Sequence, residues 1–389
     1  MNISIIGAGV GDTKNLTCQA AEKIENADII IGAKRVIEPF AVSGKKVFYE
    51  YNAEKIVEII KNNPCDNAAV LFSGDISFFS GAKKLCKIYP DAQVIPGISC
   101  VSYFCSKVGI PYDDMNIISM HGRKCNIVSE VRTHRNTFVL LGENPCRRLS
   151  EFNLADVRVY IGERLSYTDE KIMEGSAADF TNMQLNPLSV MIIENPNYST
   201  GLKIGIPDCE FIRGDVPMTK SEVRCVSISK LNIADDDICW DIGAGTGSVT
   251  VEMAFLCPRG TVYAIEKNSA AAELIRLNCR KFKTDNVIIK EINAPKCLDG
   301  IEAPDKVFIG GSSGNMRGII ETALVKNKDV RFVINAIALE TLSEAVHILE
   351  DMNMEFEVSQ ISAARNKKAG KFNLMTGMNP VFIISAKRN

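Results

Sequence analysis

The sequence is poor in the residues that hold metal ions. It has only three histidines among 389 residues, and none of its 13 cysteines stands in a C-x-x-C pair. Structural zinc sites need clustered histidine and cysteine ligands, so we expect no protein-held metal. The cysteines are odd in number and scattered, which indicates free thiols in a reducing cytosol rather than a disulfide framework.

Long apolar runs and an excess of one charge are also missing. No stretch of about 18 uncharged apolar residues occurs, so we expect no membrane span. The segment Met1-Asn2-Ile3 enters a strand pattern directly, so we expect no signal peptide and a cytoplasmic location. The 45 basic and 47 acidic residues give a net charge of −2, which offers no support for a nucleic-acid or membrane-surface partner. A chain of this length has room for two or three domains.

The stretch 238–248 is the strongest functional signal that the sequence does contain. An apolar strand pattern ends in Asp241, and Gly243, Gly245 and Gly247 then alternate before a helix pattern begins. Glycine permits a tight turn with φ > 0 and lets a ligand approach the backbone. The G-x-G-x-G spacing differs from the G-x-G-x-x-G fingerprint of nicotinamide sites. It indicates a nucleotide-type cofactor site of another kind, at the carboxyl end of a parallel strand.

A second acid follows at the end of the next predicted strand. Residues 261–265 form an apolar strand pattern that runs into Glu266. A carboxylate at that position can accept hydrogen bonds from two ribose hydroxyls. Together, the glycine loop and the two strand-end acids resemble the S-adenosylmethionine site of Rossmann-like methyltransferases.

The first half repeats this organisation with other motifs. Strand and helix patterns alternate from Ile3 onward, which predicts a mainly parallel sheet with helical crossovers. Glycine-containing turns follow three of the predicted strands, at residues 7–12, 73–75 and 96–99. The opening turn is weak evidence for a dinucleotide, because Asp28 begins the next predicted strand instead of ending it.

These turns, in this order, resemble the motifs of the tetrapyrrole methylase family, although Ile76 replaces the proline of the family's Gly-Asp-Pro loop. The runs 119–123 and 163–170 are similar to the branch that acts on corrin precursors at carbon 5. The resemblance implies a dimeric fold in which two α/β subdomains hold S-adenosylmethionine, largely through backbone groups. It implies cofactor contacts at Ser73, Gly74, Asp75, Ile98 and Ser99. It also implies substrate contacts at Gly9, His121 and Arg123.

The turn-rich residues 195–201 are predicted to separate two domains, 1–198 and 205–389. Seven strand patterns follow the separation, with the last two forming a final antiparallel pair. This order predicts an α/β domain with a single seven-stranded sheet.

Three local expectations concern the second half. The helix from Val249 to Phe255 is expected to leave Glu252 exposed. Residues 219–222 match a capping box, in which Thr219 would cap the next helix and Glu222 would bond back to it. The basic stretch 364–372 is expected to be a loop.

The second half resembles the decarboxylating carbon-15 methyltransferases of the same pathway. The resemblance rests on residues 217–220, 241–248, 308–312, 335–336, 339–342 and 379–381. It implies cofactor contacts at Thr219, Asp241, Gly243, Ala244, Gly245, Thr246, Gly247, Glu266 and Ala294. The substrate of such enzymes carries many carboxylates, for which Lys220, Arg365 and Lys368 are candidate partners, and Arg224 is a similar candidate.

Together, the two halves resemble the fused precorrin-6Y methyltransferases of cobalamin biosynthesis. The resemblance implies a tetrapyrrole methylase fold followed by a Rossmann-like seven-stranded methyltransferase domain. It implies methylation of a corrin precursor at carbons 5 and 15 with loss of the ring C acetate carboxylate, S-adenosylmethionine as cofactor, and a homo-oligomer, dimeric or tetrameric. Two alternatives stay open: a methyltransferase for nucleic acid or another small molecule, and a non-catalytic tetrapyrrole-binding protein. The sequence assigns no catalytic acid or base.

Overall fold

A computed structural model describes residues 1–40, 44–122, 125–201, 203–296 and 298–388. The chain divides into two compact units. The first comprises Met1–Lys124, His134–Arg147 and Asp156–Pro196, and the second comprises Cys125–Thr133, Arg148–Ala155 and Asn197–Asn389. In the part of the chain that is described, no helix is long and apolar enough to cross a membrane.

The first sheet of the first unit is entirely parallel. Its strands are β1 (Asn2–Gly7), β2 (Ile29–Gly32), β3 (Lys46–Tyr49), β4 (Asn67–Phe72) and β5 (Gln93–Ile95), in the order β3-β2-β4-β1-β5. The helices along this stretch are α1 (Cys18–Glu25), α2 (Lys34–Ile37), α3 (Ala53–Asn62), α4 (Ala82–Ile88) and α5 (Cys100–Val108). Apolar side chains cover both faces of the sheet in two clusters, as a parallel sheet requires.

The second sheet of the first unit is mostly antiparallel. Its strands are β6 (Asn116–Ser119), β7 (Asn136–Leu140), β8 (Arg158–Glu163), β9 (Lys171–Ser176) and β10 (Ser189–Glu194), in the order β6-β7-β10-β8-β9. Only β6 and β7 pair in parallel. The prediction of mainly parallel pairing is confirmed for the first sheet and wrong for the second. The connection from β8 to β9 is too short for a crossover helix, so those strands form a hairpin.

The second unit contains the predicted seven-stranded sheet. Its strands are β11 (Ile238–Ile242), β12 (Thr261–Ile265), β13 (Val287–Lys290), β14 (Lys306–Ile309), β15 (Arg331–Ala336), β16 (Met354–Ile361) and β19 (Val381–Arg388). The order is β13-β12-β11-β14-β15-β19-β16. The first five pair in parallel, and β19 runs antiparallel to both of its neighbours, which confirms the final antiparallel pair.

Seven helices accompany the described part of the chain from residue 125 onward. Two come from the stretch between β6 and β8, namely α6 (Ile127–Thr133) and α7 (Cys146–Glu151). The other five are α8 (Ser221–Leu231), α9 (Ser248–Leu256), α10 (Ser269–Phe282), α11 (Met316–Lys326) and α12 (Leu339–Asp351). Residues 125–133 belong to the second unit through specific contacts. The Asp285 carboxylate accepts hydrogen bonds from Val128 N (3.2 Å) and Ser129 N (3.3 Å), at the beginning of α6.

The prediction that Glu252 is exposed is wrong. Helix α9 packs between the sheet and helices α8 and α10, so its residues from Ser248 to Phe255 are all buried. Glu252 is completely inaccessible, and its Oε1 atom lies 2.7 Å from Nε of Arg224, which is equally inaccessible. A buried carboxylate is tolerated here because a guanidinium group neutralises it.

The predictions of a capping box at residues 219–222 and of a loop at residues 364–372 are also wrong. Helix α8 begins at Ser221, and its N-cap residue Lys220 makes no side-chain capping hydrogen bond; the Ser221 amide donates instead to the Asp208 carboxylate. Glu222 pairs instead with Arg365, which lowers the pKa of Glu222 to about 2. The stretch expected as a loop forms a hairpin of β17 (Ala364–Ala369) and β18 (Phe372–Gly377), whose turn contains Gly370 with φ of 59°.

Three glycines meet where β1, β4 and β5 end, and their backbones touch. A β-carbon on Gly97 would lie 2.3 Å from Gly74 O and 2.4 Å from Gly7 O. A β-carbon on Gly7 would lie 2.7 Å from Gly74 O. These distances are far below van der Waals contact, so positions 7 and 97 have no room for a side chain, whereas Gly74 has the room but has a φ of 71°, which favours glycine.

Gly97→Ala should therefore lower the free energy of unfolding of the first unit by about 1–3 kcal/mol, the usual cost of overpacking. The matched control is Gly81→Ala, where the added β-carbon meets nothing closer than Phe72 Cε1 at 3.8 Å. The control should shift the unfolding free energy by less than about 1 kcal/mol. Urea unfolding followed by circular dichroism measures both. Equal unfolding free energies of the two variants would contradict the close backbone contacts of Gly97 with Gly7 and Gly74.

Candidate functional site

The glycine loop of the second unit forms a narrow turn at the end of β11. Gly243, Gly245 and Gly247 have φ of 72°, 55° and 77°, a region that L side chains rarely adopt. Gly243 N donates to Ile265 O (2.9 Å), which ties the loop to the end of β12. A β-carbon on Gly243 would lie 2.7 Å from Gly311 O. The loop thus presents bare backbone at the carboxyl edge of the sheet.

The Glu266 carboxylate is held in a fixed orientation beside this loop. Its Oε2 atom accepts from Gly245 N (3.0 Å), and its Oε1 atom accepts from Asn268 N (2.9 Å). Each carboxylate oxygen has a second lone-pair direction available to a ligand. The geometry suits two neighbouring hydroxyl donors, the role that the sequence predicts for this residue. The Asn268 amide is a contact that the sequence analysis did not identify.

Asp241 is a buried acid with one unused oxygen. Thr250 Oγ1 donates to its Oδ2 atom, whereas Oδ1 has no hydrogen-bond partner. Burial raises the pKa of Asp241 to about 7; the Thr250 hydrogen bond opposes that shift, and the Glu266 carboxylate adds to it. A buried acceptor without a partner is costly, so it suits a positively charged or hydrogen-bonding ligand.

A cavity of about 1020 Å³ opens over these groups. The predicted cofactor residues that line it are Thr219, Asp241, Gly243, Ala244, Gly245, Thr246, Glu266 and Ala294. Lys220, a predicted substrate residue, also lines it. Gly247 does not, because it turns the loop into α9 and packs against Ile275.

The cavity has further lining residues that the sequence analysis did not identify as site residues. Asn335, Thr341, Glu344 and Asn379 come from the end of β15, from α12 and from the approach to β19. They are distant in sequence from the glycine loop, so only the fold brings them to it. Arg365 and Lys368 lie on the β17–β18 hairpin and are not part of the cavity lining.

The first unit has a second cluster of predicted residues, at the ends of β1, β4 and β5. Gly9 and Gly74 exchange backbone hydrogen bonds (Gly9 N to Gly74 O, 3.2 Å; Gly74 N to Gly9 O, 2.7 Å). The Asp75 carboxylate accepts from Ser77 N (2.9 Å) and Gly97 N (3.1 Å). Burial acts to raise the pKa of Asp75, but hydrogen bonds from the Ser77 hydroxyl and from the Ser77, Gly97 and Ile76 amides outweigh it and hold the pKa below its usual value. The Asp75 turn is therefore fixed by hydrogen bonds in a loop where Ile76 replaces a proline.

The remaining predicted residues of the first unit are Ser73, Ile98, Ser99, His121 and Arg123. Ser73 Oγ accepts from Arg35 Nη1 (3.4 Å), and Ser99 caps α5 by accepting from Ser102 N (3.2 Å). Ile98, between Gly97 and Ser99, is half-buried. His121 is exposed. Arg123 lies outside the described residues.

The residues of the second unit fit S-adenosylmethionine. We call the turn of Gly243, Gly245 and Gly247 the glycine cradle of this unit. β-carbons on Gly243 and Gly245 would lie 2.7 Å from Gly311 O and 3.1 Å from Pro217 O, so the cradle keeps bare backbone, and Glu266 is oriented for ribose hydroxyls. The orphaned Asp241 Oδ1 suits the charged amino-acid end. Thr246 Oγ1 is a second buried polar atom without a partner on the same cavity. These features, rather than the fold alone, define the second unit's candidate site.

Two family models match the chain. One, described as "Tetrapyrrole (Corrin/Porphyrin) Methylases", matches residues 2–181, and the other, "Precorrin methyltransferase domain", matches residues 210–388. A protein of Pyrobaculum calidifontis named "Probable cobalt-precorrin-6B C(15)-methyltransferase (decarboxylating)" is 38% identical over 185 residues, which cover 47% of this chain and 95% of that protein. The chain belongs to the precorrin methyltransferase family.

Two further similar proteins cover different shares of this chain. A Sinorhizobium protein named "Precorrin-6Y C(5,15)-methyltransferase [decarboxylating]" is 29% identical over 402 residues, covering 98% of this chain and 95% of that protein. A crystal structure of a precorrin-6Y C5,15-methyltransferase from Geobacter metallireducens is 41% identical, with a TM-score of 0.46, and covers 48% of this chain and 97% of its own. The match to the Sinorhizobium protein thus spans both units of this chain.

The raised pKa of Asp241 predicts that cofactor affinity at the second site increases with pH. In the free protein, the carboxyl group is protonated below about pH 7. A cationic cofactor favours the ionised form, so binding below about pH 7 must expel a proton. Affinity should therefore rise up to about pH 7 and level off above it. Because the pKa of Asp241 is higher in the folded chain than in the unfolded chain, the free energy of unfolding of the second unit should fall as pH rises from about 4 to about 7.

Calorimetric titration with S-adenosylmethionine from about pH 5.5 to about pH 8.5, in two buffers of different ionisation enthalpy, measures both affinity and proton release. Asp241→Asn is the matched control. This variant should bind S-adenosylmethionine more weakly and lose the part of the pH dependence that Asp241 causes. The pH dependence that the two proteins still share comes from titration of the cofactor and of other groups, so the difference between them isolates Asp241. A wild-type profile that coincides with that of Asp241→Asn would contradict this role.

Proposed function

We propose that this chain is a bifunctional, S-adenosylmethionine-dependent C-methyltransferase of cobalamin biosynthesis. It would methylate a corrin precursor, precorrin-6B or its cobalt form, at carbons 5 and 15 and remove the ring C acetate carboxylate. One observation carries the proposal: two glycine cradles lie at the carboxyl ends of parallel strands, in two different units. Each cradle falls within the match to its own methylase family.

The chemistry requires orientation more than acid–base catalysis. Bound S-adenosylmethionine supplies an electrophilic methyl group on a sulfonium. The chain's own part is to hold the ribose through Glu266, to face the cationic end with Asp241, and to exclude water from the cavity. Apolar residues such as Phe308 and Met316 contribute to that exclusion. Electrons released with carbon dioxide would stay in the conjugated substrate, so no general base is assigned.

The first unit would hold its cofactor mainly through backbone groups. Ser73, Gly74 and Asp75 form one turn, and Ile98 and Ser99 form the other, with Gly97 as their point of contact. These turns expose peptide groups at the carboxyl edge of the sheet, where ligands of open α/β sheets bind. Gly9, His121 and Arg123 are our proposed substrate contacts in this unit.

The substrate carboxylates need cations in the second unit as well. Lys220 lines the cavity and is our first candidate. Arg365 and Lys368 stay proposed partners, although the Arg365 guanidinium is paired with Glu222 and Asp208 in the unliganded chain. Arg224 is withdrawn as a candidate because it is completely buried.

We further propose a cytoplasmic protein with two domains, 1–198 and 205–389. The two family matches, residues 2–181 and 210–388, support this division. Every cysteine that the structure describes is a free thiol, as expected in a reducing compartment. The near-neutral net charge and the concave cavity favour a small-molecule substrate over nucleic acid.

We also propose a homo-oligomer, dimeric or tetrameric. The β17–β18 hairpin exposes Phe372 (72%) and Leu374 (57%) on one face of β18, because alternate residues of a strand share a face, and Met375 (67%) on the other face. Clustered exposed apolar side chains of this kind mark interaction surfaces. The family resemblance of the first half implies a dimer, and that of the second half a tetramer.

Blocking one cradle should leave the other methylation intact. Asp75→Arg should stop methylation at carbon 5, because it breaks the hydrogen bonds to Ser77 and Gly97. Gly243→Val with Gly245→Val should stop methylation at carbon 15, because both glycines need φ > 0 and have backbone neighbours where Cβ would lie. Each variant is incubated with labelled S-adenosylmethionine and precorrin-6B, with and without cobalt, and products are assigned by mass and carbon-position NMR.

Each variant is the control of the other in this experiment. Each should also be given an intermediate that its intact half accepts, so that the order of the two methylations does not mask the result. Singly methylated products, different for the two variants, would support two sites. If either variant abolishes both methylations with every substrate, the chain has one shared site and the proposal is wrong.

The oligomer proposal is tested by replacing Phe372 and Leu374 with serine. The double variant should lower the sedimentation coefficient to that of a smaller assembly, since it removes apolar contact area. The matched control is Val325→Ser, a single exposed apolar residue (86%) on α11. It should sediment like the wild type. Unchanged assembly in the double variant would show that the hairpin is not the interface.

A further inference from the structure

One wall of the second cavity has no regular secondary structure. Residues 215–220 line the cavity but belong to no helix or strand. This wall lies directly against the glycine loop: a β-carbon on Gly245 would be 3.1 Å from Pro217 O and 3.7 Å from Val216 Cγ1. No ladder of backbone hydrogen bonds fixes such a segment, so side chains must set its distance from the loop.

The Arg224 guanidinium holds this wall from behind. Its Nη1 atom donates to Thr219 O (2.7 Å), and its Nη2 atom donates to Ile206 O. The side chain is completely buried and its guanidinium lies 4.9 Å from the Phe211 ring centroid. Arg224 therefore fixes the backbone of a cofactor-cavity residue without reaching the cavity itself.

Glu252 anchors Arg224 to the helix that begins at the glycine loop. Its Oε1 atom accepts from Arg224 Nε (2.7 Å) and from Ile206 N (3.0 Å), and its Oε2 atom accepts from Gly205 N (3.1 Å). Glu252 lies on α9, which starts at Ser248 immediately after Gly247. The wall and the loop thus share one buried anchor.

Asp208 completes the arrangement. Its Oδ1 atom accepts from Ser221 N (3.0 Å) and lies 3.3 Å from Arg224 Nη1, and its Oδ2 atom accepts from Arg365 Nη1 (2.8 Å). The start of α8 is thereby tied to the same guanidinium. Each of the three nitrogens of the Arg224 guanidinium has a hydrogen-bond acceptor. The planar guanidinium can satisfy these acceptors together because its five N–H donors have fixed directions, whereas the single ammonium group of a lysine cannot.

Stability alone does not require this arrangement. A buried ion pair contributes little net stability compared with apolar side chains of similar volume. What the guanidinium fork adds is a defined position for two backbone segments, at Ile206 and Thr219, because its donors have fixed directions. Fixed backbone positions matter for the 215–220 wall, because this wall must stay at a set distance from the glycine loop.

We propose that Arg224, held by Glu252 and Asp208, is a positioning residue that sets the cofactor affinity of the second site by fixing the 215–220 wall against the glycine loop. The inference rests on the proposed function of the second unit. It extends that function to residues that do not touch the cofactor.

The test uses the full chain with Arg224→Lys. A lysine ammonium can pair with Glu252 but cannot also reach Thr219 O and Ile206 O, so the fold is retained while the wall is released. The dissociation constant for S-adenosylmethionine at the second site should rise about tenfold. The KM for the cofactor in carbon-15 methylation should rise in parallel, while kcat at saturating cofactor stays within about twofold.

A second variant and two references make the result decisive. Glu252→Gln keeps hydrogen-bonding oxygen but removes the charge that orients the guanidinium, so cofactor binding should weaken about threefold. Lys230 lies on α8, like Arg224, but pairs with Glu357 on β16, and neither residue of this pair lines the cavity. Lys230→Met breaks that ion pair and should leave the cofactor affinity unchanged. Gly245→Val identifies which calorimetric binding step belongs to the second site.

The outcomes separate this inference from the proposed function. Weaker cofactor binding in Arg224→Lys and Glu252→Gln, with unchanged binding in Lys230→Met, supports the positioning role. Affinity within twofold of the wild type in either Arg224→Lys or Glu252→Gln, whatever the change in melting temperature, overturns it and leaves the proposed function intact. Wild-type binding that Gly245→Val does not reduce overturns the proposed cofactor site and this inference with it.

Discussion

Backbone crossings that leave no room for a β-carbon determine the geometry of both candidate sites. In the first unit, Gly97 lies against the carbonyl oxygens of Gly7 and Gly74, and in the second, Gly243 lies against Gly311. Parallel strands deliver their carboxyl ends to one edge, and loops that leave that edge must pass one another. Glycine lets them pass closely, so peptide groups rather than side chains form the surface that a ligand meets.

The two units reach this arrangement through different topologies. The first places its cradle on the sheet β3-β2-β4-β1-β5, and the second on β13-β12-β11-β14-β15-β19-β16. The acids also differ in their duties. The Asp75 carboxylate accepts hydrogen bonds that fix its own turn. The carboxylate oxygens of Glu266 and Asp241 can still accept hydrogen bonds from a ligand. Either sheet topology can hold a methyl donor, because methyl transfer depends on the orientation of the reactants more than on particular catalytic side chains.

Local pattern predicted the strands, the glycine turns and the strand-end acids, because each depends on residues that are neighbours in sequence. The errors concern contacts between distant segments. Glu252 looks like a surface residue on its own helix, and only the fold brings Arg224 to it. The basic stretch after Ala363 has no strand-like apolar alternation, yet it forms a hairpin whose Arg365 reaches Glu222. The lining residues Thr341 and Glu344 come from α12, so no spacing rule relates them to Gly243.

The chain's one tryptophan has a consequence for how the two halves can be observed. Trp240 precedes Asp241 on β11, is completely buried, and donates from its indole nitrogen to Glu302 O (3.2 Å). The first unit contains no such residue, so indole emission from the intact protein originates in the second unit alone. The chain thus carries an intrinsic optical label for one of its two halves, attached to the strand that ends at the glycine cradle, and the unfolding of that half can be followed without cutting the chain.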